Sequence, residues 1–132
     1  MACAAAEDVM KFTRTGGFAD ERIMCVSDMK RDGFLTDFVI NVGDVEIKCH
    51  RMVLAAASPY FRAMFSHDLS ESQAGTVELQ DMNVDVVRDV VDYCYSGELD
   101  VPSENFKLYL QVAHFFRLKE LLTRISTSVA QK

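Results

Sequence analysis

The stretch that most constrains the fold of this chain is residues 50–65, HRMVLAAASPYFRAMF. Ser58 followed by Pro59 is a helix-start signal, because the serine hydroxyl can accept from free backbone amides and proline pre-sets φ in the first turn. Apolar side chains recur at helical spacing on both sides of this pair. The stretch therefore predicts two short helices that meet at a corner, with alanines that let their backbones approach closely.

A β-hairpin precedes the two helices. Residues 37–42 and 45–49 alternate apolar and polar side chains, and Gly43-Asp44 between them suits a two-residue turn. Residues 76–79, TVEL, predict a third short strand. Apolar repeats at spacings of three and four predict further helices at residues 20–31, 83–96, 103–117 and 118–128. A small sheet with helices gathered around it belongs to the α+β class.

The composition limits the classes of function that the chain can have. The 132 residues, 49% of them hydrophobic, predict one globular domain, and no apolar run is long enough to cross a membrane. The N-terminus lacks the basic start and apolar core of a secretory signal. The net charge of −6 argues against nucleic-acid binding, which needs a basic surface. We therefore expect protein partners, with no membrane and no nucleic acid among them.

Catalytic chemistry is not expected. The sequence has no glycine-rich phosphate loop and no HExxH, GxSxG or CxxC motif, so we expect neither an enzyme nor a cofactor or bound metal. The cysteines are not spaced as a zinc site, and reduced thiols indicate a cytoplasmic protein, with the nucleus as a further location. These cysteines are Cys3, Cys25, Cys49 and Cys94.

The same residues resemble the signature of the BTB/POZ domain. That signature has an Asp-led hydrophobic strand followed by His-(Arg/Lys)-x-hydrophobic-Leu-Ala-x-x-Ser-x-Tyr-Phe. Residues 90–99, VVDYCYSGEL, are similar to a second family stretch with two tyrosines and a glycine, and the resemblance spans about residues 22–126. The positions that match the first motif are Asp37, His50, Arg51, Val53, Leu54, Ala55, Ser58, Tyr60 and Phe61.

The resemblance implies the BTB/POZ fold, a small, mostly antiparallel sheet flanked by a cluster of helices. It divides the chain into a flexible N-terminal arm, residues 1–19, and a BTB/POZ domain, residues 20–132. The polar residues at the C-terminal end are typical of a domain excised from a longer protein.

The resemblance also implies a homodimer. The helix at residues 20–31 carries more apolar surface than a chain of this size readily covers, and the family packs this helix across a twofold axis. A strand within residues 9–13 is expected to pair with the partner's sheet. A buried charged pair is implied for Asp37 and Arg51, the alternative being a surface salt bridge. The predicted interface residues are Ile23, Met24, Val26, Asp37 and Arg51.

Residues 60–72, YFRAMFSHDLSES, look most like the Kelch-like proteins. In that group the BTB domain recruits cullin-3, through a hydrophobic-x-Glu motif that follows the third conserved helix, while a separate Kelch domain holds the substrate. Leu69-Ser70-Glu71 matches the motif, although Leu69 packed on its own domain beside a solvated Glu71 is the alternative. The predicted residues for binding the cullin-3 N-terminal domain are Met64, Leu69, Ser70, Glu71 and Tyr109.

Three functions follow from the resemblance. The preferred one is a homodimeric protein-interaction module that acts as substrate adaptor of a cullin-3 RING ubiquitin ligase. The alternative is the dimerisation and co-repressor-binding module of a BTB zinc-finger transcription regulator. A channel-type tetramerisation domain or a lone scaffold is third, and the His-Arg to Tyr-Phe motif argues against the channel type.

Overall fold

The structure is a computed structural model that describes residue 10, residues 17–67 and residues 74–130 of the chain. Within these ranges it contains six α-helices and three strands, which confirms the α+β class. In chain order the elements are α1 (Phe18–Asp32), β1 (Phe38–Val42), β2 (Val45–Cys49), α2 (Arg51–Ala57), α3 (Pro59–Ser66), β3 (Thr76–Leu79), α4 (Val84–Ser96), a 3₁₀ turn (Ser103–Asn105), α5 (Phe106–Phe115) and α6 (Lys119–Ala130). No helix in the described part of the chain has the length and apolarity needed to span a bilayer.

The sheet has the order β2-β1-β3 and is mixed. β1 and β2 form the predicted antiparallel hairpin, closed by Val42 opposite Val45 around a turn in which Gly43 has φ 61°. β3 pairs with β1 in parallel, with Ile40 opposite Val77, so the sheet is only half antiparallel rather than mostly so. The reason is that α2 and α3 form a helical hairpin, which returns the chain to the end of the sheet where β2 stopped. β3 consequently runs opposite to β2 and alongside β1.

The core lies between this sheet and the helices. Phe38, Ile40 and Val42 point inward from β1 and are at most 2% exposed. The Phe61 ring of α3 meets the ring of Phe38 at a centroid distance of 6.2 Å and that of Phe116 at 5.0 Å. α4 contributes five buried side chains, Val86, Val87, Val90, Val91 and Tyr95. Because valine is a poor helix former, this packing is what stabilises α4.

The corner between α2 and α3 is fixed by Ser58, which is 1% exposed. Its Oγ accepts from the backbone N–H of Phe61 at 3.3 Å, as predicted for a helix start, and donates to the carbonyl of Phe116 at 2.8 Å. The second bond was not evident from sequence, because its partner lies 58 residues away. The corner is thus attached to the end of α5.

α1 begins at Phe18, two residues before the predicted start, and ends in a left-handed Gly33 with φ 71°. Lys30 connects it to α4 through an ion pair with Asp92, at 3.0 Å. The division into an arm and a domain at residue 19 stays a prediction. The expected strand within residues 9–13 lies, apart from Met10, outside the described residues.

Candidate protein-interaction surfaces

The first candidate surface is an apolar groove between α1 and α2, with a volume of about 360 Å³. Ile23 and Val26 line it from α1, and Cys94 and Tyr95 of α4 form its floor. Met52 of α2 also lines it and is 79% exposed. Met24, one residue along α1, is 66% exposed. We call this set of residues the α1–α2 surface.

Three of the predicted interface residues therefore lie together. Ile23 and Val26 are half-buried in the groove, and Met24 is exposed beside them. α2 buries Leu54 and leaves Met52 in solvent. Exposed methionines on adjacent helices form the kind of patch that marks a protein contact.

His50 holds the start of α2 in place beside this groove. The hydroxyl of Tyr95 accepts from the His50 backbone N–H at 2.8 Å and lies 2.7 Å from the His50 Nδ1, while Nε2 lies 2.9 Å from the Phe34 carbonyl. Burial raises the pKa of the Tyr95 phenol, so its hydroxyl keeps the proton that it donates to Nδ1. We assign the Nε2–H tautomer to His50, since that nitrogen then donates to Phe34. The α1–β1 connection, α2 and α4 are thereby held together.

Asp37 and Arg51 do not form a buried ion pair within the described chain. Asp37 is exposed, and its carboxylate accepts from the backbone N–H of Arg51 at 2.7 Å, so it serves the N-terminus of α2. The Arg51 Nε donates to the Asp37 carbonyl at 3.2 Å. Its guanidinium lies 5.6 Å from the ring centroids of Phe38 and Phe65, within cation–π range. Within the single chain these two residues thus meet through backbone groups, and the predicted buried pair at a dimer interface stays a prediction.

The residues predicted to bind a cullin are not all placed where a partner could touch them. Leu69, Ser70 and Glu71 lie outside the described residues. Met64 and Tyr109 are each 4% exposed, and the Tyr109 hydroxyl donates to Asp89 at 2.7 Å. Neither side chain is available for the direct contact predicted from sequence. Both side chains are instead packed inside the domain, where they support the helices around them.

A second candidate surface lies on α3 and α5, and sequence reasoning missed it. Leu108 and Phe115 of α5 are each 37% exposed, and the Phe115 ring lies 4.8 Å from that of Tyr60 on α3. The two residues are seven apart and so share one helical face, which is the signal that could have revealed them. We call Tyr60, Leu108 and Phe115 the α3–α5 surface.

The structure gives the described cysteines no catalytic environment. Burial raises the pKa of the Cys49 and Cys94 thiols to about 12, while Cys25 is exposed. Within the described ranges, no group of histidine, cysteine, aspartate or glutamate side chains is arranged to hold a metal ion. What the geometry offers is surface for other proteins.

Comparison with known proteins agrees with this geometry. A family model described as "BTB/POZ domain" matches residues 26–132. The chain is 35% identical to Kelch-like protein 3 of Mus musculus over 122 residues, which is 89% of this chain and 21% of that protein. It is 36% identical to Kelch-like protein 40 of Xenopus laevis over 107 residues, which is 81% of this chain and 17% of that protein. The chain therefore spans about a fifth of the length of these relatives.

Two solved structures share the fold. The BTB domain of zebrafish PATZ1 superposes with a TM-score of 0.81 at 22% identity, covering 93% of this chain and 100% of that one. The BTB domain of human gigaxonin superposes with a TM-score of 0.74 at 24% identity, covering 90% of this chain and 97% of that one. At such low identity the likeness concerns the fold alone.

Proposed function

Because this chain belongs to the BTB/POZ domain family, we propose that it is the homodimeric adaptor module that brings a cullin-3 ubiquitin ligase to its substrate. The fold and the family predicted from sequence are confirmed, and the chain is a protein-interaction module. The adaptor needs no chemistry of its own. It raises the effective concentration of substrate near the ligase, and a dimer raises it further.

The observation that carries this proposal is the similarity to Kelch-like proteins, at 35% identity over 89% of the chain. It accompanies Leu69-Ser70-Glu71, the hydrophobic-x-Glu motif through which the resemblance implies cullin contact. Leu69 would be an apolar anchor beside a charge, and a few such anchors can carry most of the binding energy of an interface. The α3–α5 surface, with Phe115 and Leu108, would extend the contact beyond that motif.

The α1–α2 surface is the proposed dimer interface. A twofold interface uses the same patch on both chains. Each contact that Met24 or Met52 makes with the partner would therefore occur twice, once from each chain. The groove between α1 and α2 has apolar walls and is open, so a second α1 could cover it. This supplies a partner for side chains that one chain leaves 66% and 79% exposed.

We further propose a cytoplasmic location, with the nucleus as a second one. The alternative function, a zinc-finger regulator module that binds co-repressor peptides, would use the same dimer but not the hydrophobic-x-Glu motif. Binding of the cullin-3 N-terminal domain therefore separates the two functions.

The test is the mass of the complex measured by sedimentation. Wild-type protein mixed with excess cullin-3 N-terminal domain is expected to form one assembly of two chains and two cullin domains. A Met24→Glu variant is expected to give a complex of one chain and one cullin domain. A wild-type dimer that sediments separately from cullin would overturn the adaptor proposal, and binding of a co-repressor peptide by that dimer would support the alternative.

A further inference from the structure

A cavity of about 450 Å³ lies away from the residues proposed for dimer and cullin contact. It is bounded by the C-terminal end of α4, the extended residues 99–101, the start of α5 and one side of α6. Pockets of roughly 300 to 1,000 Å³ are the usual size for small-molecule sites. Walls contributed by four parts of the chain make this a formed site rather than a shallow patch.

The interior of the cavity is apolar. Leu121 and Ile125, one turn apart on α6, form its base and are 4% and 6% exposed. Leu99, Val101 and Phe106 form the walls and pack against the core while remaining half-buried. An apolar body placed here would remove these side chains from water, which is favourable in proportion to the area covered.

One cation lines the cavity, and its partner carboxylate, Glu120, lies close enough to act on the Tyr93 phenol that also lines it. Arg124 is the only charged residue among the described residues that line it, although the whole chain has a net charge of −6. Arg124 pairs with Glu120 of the same helix at 2.9 Å, but both side chains are mostly exposed, at 63% and 73%. Such a surface pair contributes little, so the guanidinium can turn to another carboxylate at small cost.

Three of the described residues that line the cavity carry a hydroxyl group, namely Tyr93, Ser103 and Ser128. Ser128 lies one turn beyond Arg124 on α6, and Tyr93 lines the cavity from α4. Burial raises the pKa of the Tyr93 phenol, so the group stays protonated at neutral pH and can donate a hydrogen bond. Donors on one side and aliphatic walls on the other match an amphiphilic molecule.

We propose that this cavity binds a small molecule with an apolar body and a single carboxylate. The apolar part would lie on Leu121, Ile125 and Val101, and the carboxylate would accept from Arg124. Carboxylate recognition by arginine is directional because the guanidinium presents paired N–H donors. The site is independent of the proposed adaptor function and would exist in a monomer.

Two probes of equal chain length test the proposal, decanoate and its neutral analogue decanol, each titrated into the isotopically labelled chain and followed by NMR chemical shifts. Arg124→Gln removes the cation, and Val101→Trp fills the cavity. Arg62→Gln is the matched control, since Arg62 is exposed on α3 and does not line the cavity.

The expected result is saturable decanoate binding with shifts at Leu99, Leu121 and Ile125. Arg124→Gln is expected to weaken decanoate binding about tenfold, with decanol binding unchanged, whereas Arg62→Gln changes neither. Val101→Trp is expected to abolish both. No saturable shifts in the wild-type chain, or equal losses in Arg124→Gln and Arg62→Gln, would overturn the proposal. So would a Val101→Trp variant that binds decanoate normally but changes oligomeric state, because the cavity would then be a protein contact.

Discussion

At the scale of single residues, Ser58 and His50 do the most to fix the arrangement of the helices. Each makes hydrogen bonds to elements that are distant in sequence, Ser58 to the end of α5 and His50 to Tyr95 of α4 and Phe34. The Ser58 bonds are buried, where an unpaired polar group is costly, whereas the His50 bonds to Tyr95 are part-buried and the one to Phe34 is exposed. Substitution of either residue is therefore expected to lower stability, because its hydrogen-bond partners would be left unsatisfied.

Ser58→Ala is expected to lower the free energy of unfolding by about 2 kcal/mol, because it removes a helix cap and strands the buried carbonyl of Phe116. Urea denaturation followed by circular dichroism measures the loss. Ser66→Ala is the control, since Ser66 is exposed and donates only to Arg62 within its own helix, and it should change stability by less than about 0.5 kcal/mol. Similar losses in the two variants would contradict the role assigned to Ser58.

The buried thiols of Cys49 and Cys94 are expected to be unreactive in the folded chain. With pKa values of about 12, only about one thiol in ten thousand is ionised at pH 8, and the thiolate is the reactive form. A Cys3→Ser/Cys25→Ser variant should give no signal with a thiol reagent until denaturant is added, and then two thiols. Rapid reaction of either thiol in the folded state would show that burial does not keep that thiol protonated.

The same thiols make the fold sensitive to alkali. Their pKa values are raised from the ordinary value of 9.0 to about 12 in the folded chain, so the unfolded chain ionises first as pH rises. The stability that they contribute is fully present below pH 9 and is lost as pH rises from there toward 12. Denaturation midpoints measured across this range should fall, and fall less steeply in a Cys94→Ala variant.

At the scale of elements, α4 shows how a sequence unfavourable to helix can form one. Its valines have low helix propensity, yet four of them are buried against the rest of the core. Its ends are well defined, because the Asn83 Oδ1 accepts from the Val86 N–H at 3.1 Å and Gly97 closes the helix with φ 78°. Packing and capping together supply the stability that the low helix propensity of the valines does not.

Asn83→Ala is therefore expected to cost about 1 kcal/mol in the free energy of unfolding. The loss comes from an amide in the first turn that no longer has its acceptor. Thermal denaturation measures it, with Gln80→Ala, an exposed position outside the helix, as the control. A midpoint equal to that of the control would mean that another group caps α4.

The elements were predictable from sequence where the signal is local. The Gly43 turn and the Ser58-Pro59 start each depend on a few adjacent residues, and each was placed correctly. The parallel pairing of β3 was not predictable, because it depends on where a helical hairpin returns the chain. The exposure of Met52 and Phe115 was missed for the same reason, since it depends on which neighbours the fold supplies.

The candidate site was less predictable than the fold. The sequence selected Ile23 and Val26, which line one groove, and Met24, which is exposed beside them. It also selected Met64 and Tyr109 as contact residues, although both are buried. A motif match identifies positions that the family shares. It does not distinguish a residue that contacts a partner from a buried residue that supports the contact surface.

For the molecule as a whole, the apolar side chains left exposed on α1 and α2 are the contact surface of the proposed dimer. Met24→Glu is expected to weaken dimerisation at least tenfold, because a twofold interface brings two like charges together in an apolar contact. Sedimentation over a range of protein concentrations measures the dissociation constant. Leu108→Glu on α5 is the matched control and should leave the dimer intact. Equal weakening by both substitutions would contradict the α1–α2 surface as the interface.

We propose that this domain is a cullin-3 adaptor and that Leu69 is at the centre of its contact. The most direct measurement is calorimetric titration of the dimer with the cullin-3 N-terminal domain, comparing the wild type with Leu69→Asp and Glu71→Ala. Leu35→Asp is the control, since it makes the same change at a leucine that is 68% exposed elsewhere on the chain.

We expect one cullin domain bound per chain, with affinity reduced at least about thirtyfold by Leu69→Asp, less by Glu71→Ala and not by Leu35→Asp. Dimerisation and the folded spectrum should be unchanged in all variants. An intact wild-type dimer that binds no cullin, or a Leu69→Asp variant that binds as tightly as Leu35→Asp, would contradict the account.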